Sequence, residues 1–278
     1  IAIAPIIAIF VLALQSSGDT WPHLVANVLP GALRRTIALM AGVGALTLLI
    51  GTGTAWLVTM YRFPGRSQFQ WLLLLPLAMP TYVLAYVYNY LLGFGGPVEQ
   101  LWQMIAGPQA RIFSPQSFWG VTLVMALDTF PFVYLLTRSA LLSFNVSFEE
   151  VARTCGASPL RRMLFVTLPL LRPSIVAGVA LVILYVVSDF GAVSLLRYQT
   201  LTYAVFQQMT GRSDKQAASI LSILLVMLAL LFLLTERWFR RKSRFYQTSG
   251  RFRAPQLIQC KWVHTAALTT CLSTVIGL

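Results

Sequence analysis

Long apolar blocks, with the basic residues gathered between them, limit this chain more than any other feature. Each full block is about twenty residues long, the length a helix needs to cross a ~30 Å hydrocarbon layer. The blocks run approximately over Ile1–Leu14, Ile37–Met60, Phe69–Leu92, Phe118–Leu142, Pro169–Phe190 and Ala217–Leu234, and a seventh begins near Val263. Inside hydrocarbon every backbone N–H and C=O needs a partner from the chain itself, and runs of this length supply one by forming helices. Barrel strands would be about ten residues long with strict alternation, a pattern missing from this sequence. The expected fold class is an all-α membrane protein of about six transmembrane helices plus the start of a seventh.

Composition agrees. Charged residues make up 10% of the chain and hydrophobic residues 57%, with mean hydropathy +0.73. Soluble domains carry roughly 25% charged residues. The net charge of +13 would point to nucleic acid if read alone. Because the Lys and Arg residues lie almost entirely between apolar blocks, the expected partner is the lipid bilayer and no nucleic acid.

Catalytic and metal chemistry find little support. Cys155, Cys260 and Cys271 show neither metal-ligand spacing nor an even disulfide framework, and His23 and His264 are isolated. A membrane-embedded enzyme would need a clustered His, Asp or Ser constellation, which the sequence does not offer. No G-x-x-x-x-G-K-[ST] phosphate loop occurs, so nucleotide hydrolysis by this chain and a bound cofactor are not expected.

The terminal runs IAIAPIIAIFVLAL and WVHTAALTTCLSTVIGL are apolar and open-ended, which predicts a longer polypeptide. A signal peptide would account for the first run, but no basic stretch precedes it. RTIALMAGVGALTLLIG at Arg35–Gly51 is echoed by HTAALTTCLSTVIGL at His264–Leu278, with Thr and Ala-Leu in register. The expected organisation is therefore residues 1–250 as a first membrane unit. Residues 251–278 would be a basic linker and the start of a second, truncated unit.

Basic residues also orient the spans. If the first block runs from inside to outside, the inner segments hold fifteen Lys and Arg and the outer segments six. The stretch ERWFRRKSRFYQ contributes most, and Arg34 and Arg35 oppose it. The loop Glu149–Leu168 is then cytoplasmic. The outer loop Gly93–Ser117 is rich in Gly and Pro and encloses VEQLWQMI, a short stretch with helical spacing that can serve as a docking surface or a plain connector.

The most informative stretch is EEVARTCGASPLRRMLFVTLPLLRPSI, Glu149–Ile175. It combines a helix-forming opening, a glycine break and a second amphipathic turn before Leu168-Pro169. Gly156 can take positive φ and let two short helices meet sharply. Pro169 suits the N-terminus of the next helix. This stretch resembles the E-A-A-x-x-x-G…I-x-L-P signature of permeases in binding-protein-dependent ABC importers. Here it reads Glu150-Val151-Ala152, three residues, Gly156, nine residues, then Val166-Thr167-Leu168-Pro169, with Val151 and Val166 departing mildly from it. The resemblance implies a type I permease whose coupling helices seat in a separate ATP-binding cassette ATPase. Glu149, Glu150, Ala152, Gly156, Ala157, Leu168 and Pro169 would form the coupling site, with Glu150 meeting a basic ATPase residue. The other implied partners are a periplasmic substrate-binding protein and a second permease half, fused or separate, in the bacterial inner membrane.

A second resemblance concerns the cargo. Asp189-Phe190-Gly191, followed by Thr200 and Thr202 before a short helix, resembles the ferric-iron importer permeases, which usually fuse two six-helix halves. Thiamine permeases share much of that design. Fe(III) is a hard cation that prefers oxygen ligands, and intramembrane acids usually face a cavity or a partner. Asp128, Asp189, Tyr82 and Tyr86 are therefore candidate pathway residues, with Tyr88 beside them, and any metal contact is left open. Competing roles are an aromatic belt for the tyrosines, helix pairing for Asp128 and a helix cap for Asp189. A rival of another class, an ion-gradient secondary transporter, would need inverted repeats and broken helices. The glycines at 42, 44, 51 and 53 can mimic a broken span but read more simply as close helix packing.

Overall fold

The computed structural model describes residues 9–13, 22, 24–107, 113–143, 151–152, 154–211, 214–242 and 268–274. Its elements are α1 (Leu24–Met60, opening on a π-turn at Leu24–Val28), α2 (Arg66–Leu72), a 3-10 turn (Leu75–Ala78), α3 (Thr81–Leu92) and α4 (Pro97–Ala106). There follow α5 (Phe118–Leu142), α6 (Pro159–Arg162), a π-turn at Met163–Thr167, α7 (Leu168–Ser188), α8 (Gly191–Leu195), α9 (Leu201–Thr210) and α10 (Lys215–Lys242). Among the described residues, four helical stretches are long and apolar enough to span: Leu24–Met60, Phe118–Leu142, Leu164–Ser188 and Lys215–Arg237. The pair Arg66–Ala78 and Thr81–Ala106 passes the same length and apolarity test together but is bent by 96°, the shape of a broken span or a re-entrant loop. The fold is the all-α membrane architecture of about six spans that the hydropathy predicts.

Two expectations about the blocks change. Phe69–Leu92 reads as one apolar run, yet the helix breaks before Pro80. Met79 is extended (φ −103°, ψ 133°), as the residue before a proline tends to be, and Pro80 can donate no hydrogen bond to continue the turn. The second span begins well before Ile37, so Arg34 and Arg35 lie within helix α1 rather than in a loop.

The chain divides into two compact units whose boundaries fall inside long helices, except for one at the Met79–Pro80 break. One contains residues 1–43, 80–125 and 183–235, and the other 44–79, 126–182 and 236–278. In the first, Leu24, Ala32, Leu201, Ala204, Ala217, Ile220 and Leu221 form a buried cluster. In the second, Val58, Phe63, Phe69, Leu73, Phe130, Tyr134, Leu141, Leu171 and Ile175 do so. Leu268 and Cys271, from the stretch read as opening a further unit, pack into this second core.

Glycines set the closest approaches. A Cβ on Gly51 would meet Val133 Cβ at 2.7 Å and Phe130 O at 2.9 Å, and one on Gly178 would meet Val133 Cα at 2.8 Å. Both α1 and α7 thus press their backbones against the same residue of α5, the small-residue packing common where lipid gives no hydrophobic drive. Some polar side chains in these helices return their hydrogen bonds to their own backbone. Thr54 Oγ1 donates to Ile50 O at 2.6 Å and Thr47 Oγ1 to Gly44 O at 3.1 Å.

Candidate functional site

The motif residues fall in two segments, one in each unit. In the inner segment Glu149 and Glu150 lie outside the described residues. The chain is helical at 151–152 and 154, and Cys155 N–H donates to Val151 O at 3.0 Å. Gly156 then takes φ +77°, and Ala157 N–H donates to Ala152 O at 3.0 Å. A six-to-one bond closing over a left-handed glycine is the Schellman helix stop. Nothing lies within 4 Å of where a Gly156 Cβ would be, so glycine is needed for its conformation and not for space.

After this stop Ser158 opens the next helix. Its Oγ accepts from Arg161 N–H at 3.4 Å and its carbonyl from Arg162 N–H at 2.9 Å. Pro169 does not begin a helix as expected, because the chain is helical without interruption from Pro159 to Ser188. The π-turn Met163–Thr167 widens the helix just before Leu168-Pro169 and Pro173, where proline nitrogens cannot donate back to the preceding turn. Ala152, Ala157, Leu168 and Pro169 are half-buried, whereas Cys155, Gly156 and Arg161 are exposed and Val151 is 62% exposed. An exposed turn joined to one rigid helix suits docking and transmission of movement. Among the described residues no three His, Cys, Asp or Glu side chains gather as a metal site would require.

The outer segment is the turn after α7. Asp189 Oδ1 accepts from Ala192 N–H at 2.9 Å, capping α8. The Thr81 hydroxyl hydrogen-bonds to Asp189 and shares another hydrogen bond with Tyr185 OH. Asp189 lies just past the span Leu164–Ser188. Burial pushes its carboxyl above the ordinary value, and hydrogen bonds from Ala192, Thr81 and Val193 oppose the shift. The Phe190 and Phe206 rings pack with centroids 4.6 Å apart. A Cβ on Gly191 would stand 3.1 Å from Tyr82 Cβ, so this glycine lets α8 lie against α3. Thr200 Oγ1 accepts from Tyr203 N–H at 3.3 Å at the start of α9, and Thr202 Oγ1 donates to Val187 O at 2.9 Å.

Tyr82 and Tyr86 share one exposed face of α3 with Tyr90, whereas Tyr88 is buried on another. Asp128 is buried within α5 and belongs to the other unit, apart from Asp189, Tyr82 and Tyr86.

Several residues of the outer segment escape sequence reasoning. Thr36 Oγ1 accepts from Leu201 N–H at 2.9 Å while donating to Ala32 O at 2.8 Å. Arg35 donates to Gln199 Oε1. Beside this pair lies a cleft of about 530 Å³ lined by Asn27, Arg35, Gln199, Gln207 and the buried Gln208. Near it the Tyr198 phenol is pushed up by burial, with Arg35 and Arg34 pulling it down. A second outer cleft of about 450 Å³ lies between the α3–α4 turn and residues 114–116, with Tyr86, Asn89 and Tyr90 in its wall. The only hint in the sequence is a pair of arginines that opposes the charge rule.

The sequence profile of the binding-protein-dependent transport system inner membrane component matches residues 47–244. The Fe(3+)-transport system permease protein FbpB 2 of Haemophilus influenzae is 30% identical over 227 residues, covering 82% of this chain. The chain spans only 41% of that relative's length. The molybdenum transport system permease protein ModB of Escherichia coli is 32% identical, over 74% of this chain and 90% of the relative. The sulfate transport system permease protein CysT of Salmonella typhimurium is 28% identical, over 81% and 82%. Among solved structures, a bacterial ABC transporter involved in import of the acidic polysaccharide alginate aligns with TM-score 0.71 at 15% identity, over 87% of this chain and 90% of that one. The inward-facing MetNI methionine ABC transporter aligns with TM-score 0.62 at 18% identity, over 82% and 100%. At such identities these two structures speak for the fold alone.

Proposed function

The chain belongs to the family of inner membrane components of binding-protein-dependent transport systems, and from that premise we propose that it imports ferric iron by alternating access, driven by a separate ATPase. It is a multi-pass inner-membrane protein, and in this reading the Glu149–Leu168 loop lies on the cytoplasmic side, as the charge count argues. The observation that carries the proposal is the Gly156 stop followed by unbroken helix from Pro159 to Ser188. A helix of that length is on the order of 40 Å long. The exposed turn leads directly into this one continuous helix.

In this reading the ATPase subunits dock on the coupling residues Glu149, Glu150, Ala152, Gly156, Ala157, Leu168 and Pro169, with Glu150 as a charged anchor. ATP hydrolysis belongs to those subunits and not to this chain. A periplasmic binding protein delivers cargo to the outer loops, where the two clefts lie. The cargo then passes between this unit and a second permease half, fused or separate. Coupling needs contacts that differ between the two states: the ATPase supplies one set and the loaded binding protein the other. Asp189, Tyr82 and Tyr86 in one unit, and Asp128 in the other, carry hard oxygen atoms of the kind ferric iron prefers.

A second reading, import of an oxyanion, draws on one observation. The larger outer cleft has Arg35 and four side-chain amides among its lining residues and no carboxylate. Thiamine remains a further alternative cargo, and gradient-driven secondary transport an alternative of another class. Two measurements separate these readings. ATPase pull-down with the full-length permease is expected to lose the ATPase in Glu150→Ala and Gly156→Pro while membrane insertion persists. Wild-type protein that retains no ATPase would remove the importer reading. Uptake of labelled ferric iron against labelled sulfate, molybdate and thiamine then assigns the cargo, and ATP-dependent uptake of any of the other three in place of iron overturns the iron reading.

A further inference from the structure

The unit that contains the Gly156 turn also holds a concave site that the coupling scheme does not use. It lies where α1 ends and α2 begins and is lined by Arg62, Phe63, Gly65, Arg66, Ser67, Gln68 and Gln70, with a volume of about 690 Å³. Arg62 is exposed and Arg66 half-buried, and neither forms an ion pair among the described residues. Arg66 is fixed through Nε, which donates to Val58 O at 2.6 Å, leaving its terminal nitrogens for another acceptor. Gln70, one helical turn along from Arg66, accepts from Arg138 Nη2 at 2.9 Å. A third guanidinium is thereby held at the edge of the same site. Two cations, a hydroxyl and two amides line the hollow, Arg138 is bonded to one of those amides, and among the described residues no lining side chain bears a carboxylate.

The surroundings fit a membrane surface. Arg62 and Arg66 fall on the cytoplasmic side, as the excess of inner Lys and Arg requires. Phe69 anchors α2 in the core, whereas Trp71 on the same short helix is 74% exposed. Tryptophan favours the headgroup layer, where its ring is half in hydrocarbon and its N–H in water. Leu75 and Leu77, just beyond, are also exposed and continue the apolar face. A basic hollow followed directly in the chain by an exposed indole and exposed leucines suits a surface that offers phosphate beside acyl chains.

We propose that this hollow binds the phosphate headgroup of an anionic phospholipid of the cytoplasmic leaflet, with Arg62 and Arg66 as its ligands and Arg138 supporting them through Gln70. The phosphate could equally come from a soluble anion, and the experiment separates the two sources.

Intact permease in nanodiscs is titrated with cardiolipin, with phosphatidylethanolamine as the zwitterionic control, and retention is read by native mass spectrometry. Wild-type protein is expected to retain cardiolipin selectively, Arg62→Gln to bind it about fivefold more weakly, and the Arg62→Gln/Arg66→Gln pair about thirtyfold more weakly. The single variant guards against misfolding, because the Arg62 side chain is exposed and makes no hydrogen bond among the described residues. Equal retention of both lipids by wild type overturns the proposal, as does full retention of cardiolipin by the single variant. Displacement of cardiolipin by millimolar inorganic phosphate assigns the hollow to a free anion and overturns the lipid source.

Discussion

Gly156 and Gly191 hold matching places in the two motif segments, each between the end of one helix and the start of the next. At Gly156 the backbone is left-handed and the space around it empty. At Gly191 the backbone is ordinary and the space is filled by Tyr82. The residues around Gly156 are exposed or half-buried, whereas Asp189, Phe190, Thr200 and Thr202 are each engaged with their own unit. Similar-looking signatures therefore have different causes. The inner one leaves a surface open to a partner, and the outer one locks a turn in place, so the outer motif says more about stability than about what is carried.

The comparison breaks most readily at Gly191. A Gly191→Val change forces a side chain against Tyr82 and is expected to cost about 1–3 kcal/mol, read as a lower melting temperature of the detergent-solubilised protein. Adding Tyr82→Gly should restore part of the loss, and an unchanged melting temperature would remove the packing account. At Gly156, Ala is expected to cost about 1–2 kcal/mol through backbone conformation alone. Asn, which tolerates the left-handed region, should cost less, and equal losses for the two variants would contradict a conformational cause.

The smallest effect concerns Asp189. Its carboxyl is raised, so the folded chain holds the proton more tightly than the unfolded chain does. The stabilisation is complete below the ordinary carboxylate pKa and is lost as pH rises through the raised value. Asp189→Asn keeps an oxygen for the Ala192 N–H and carries no charge, so the fall in melting temperature as pH rises past the ordinary carboxylate range should flatten. A variant with the wild-type slope would place the titration elsewhere.

Much of the fold could be read from hydropathy, because spans are set by the length of apolar runs: α5 has its expected bounds, and α10 starts two residues early but continues past Leu234 to Lys242. The break at Met79–Pro80 was hidden because Leu, Ala and Met keep the run apolar while two prolines end the helix inside it. Helix α1 runs on through Arg34 and Arg35, where Arg35 finds Gln199 from a distant turn. Thr36 and Leu201 are 165 positions apart, and no local pattern announces such a pair. Within the site, the turn at Gly156 and the capping alternative for Asp189 were visible, since each depends on a few adjacent residues. The uninterrupted helix through Pro169 was not, because it depends on a widened turn whose hydrogen-bond register leaves no mark in composition.

That widened turn acts as a phase shifter. A π-turn spends one residue more than an α-turn over the same advance, and one residue corresponds to about 100° around the helix axis. The face that Pro159–Arg162 presents is therefore out of step by that angle with the face Leu168–Ser188 would have if the helix were regular throughout. A helical wheel drawn for the loop cannot be carried into the span. The direction in which the loop faces is set by the count of residues between Met163 and Thr167 rather than by their chemistry.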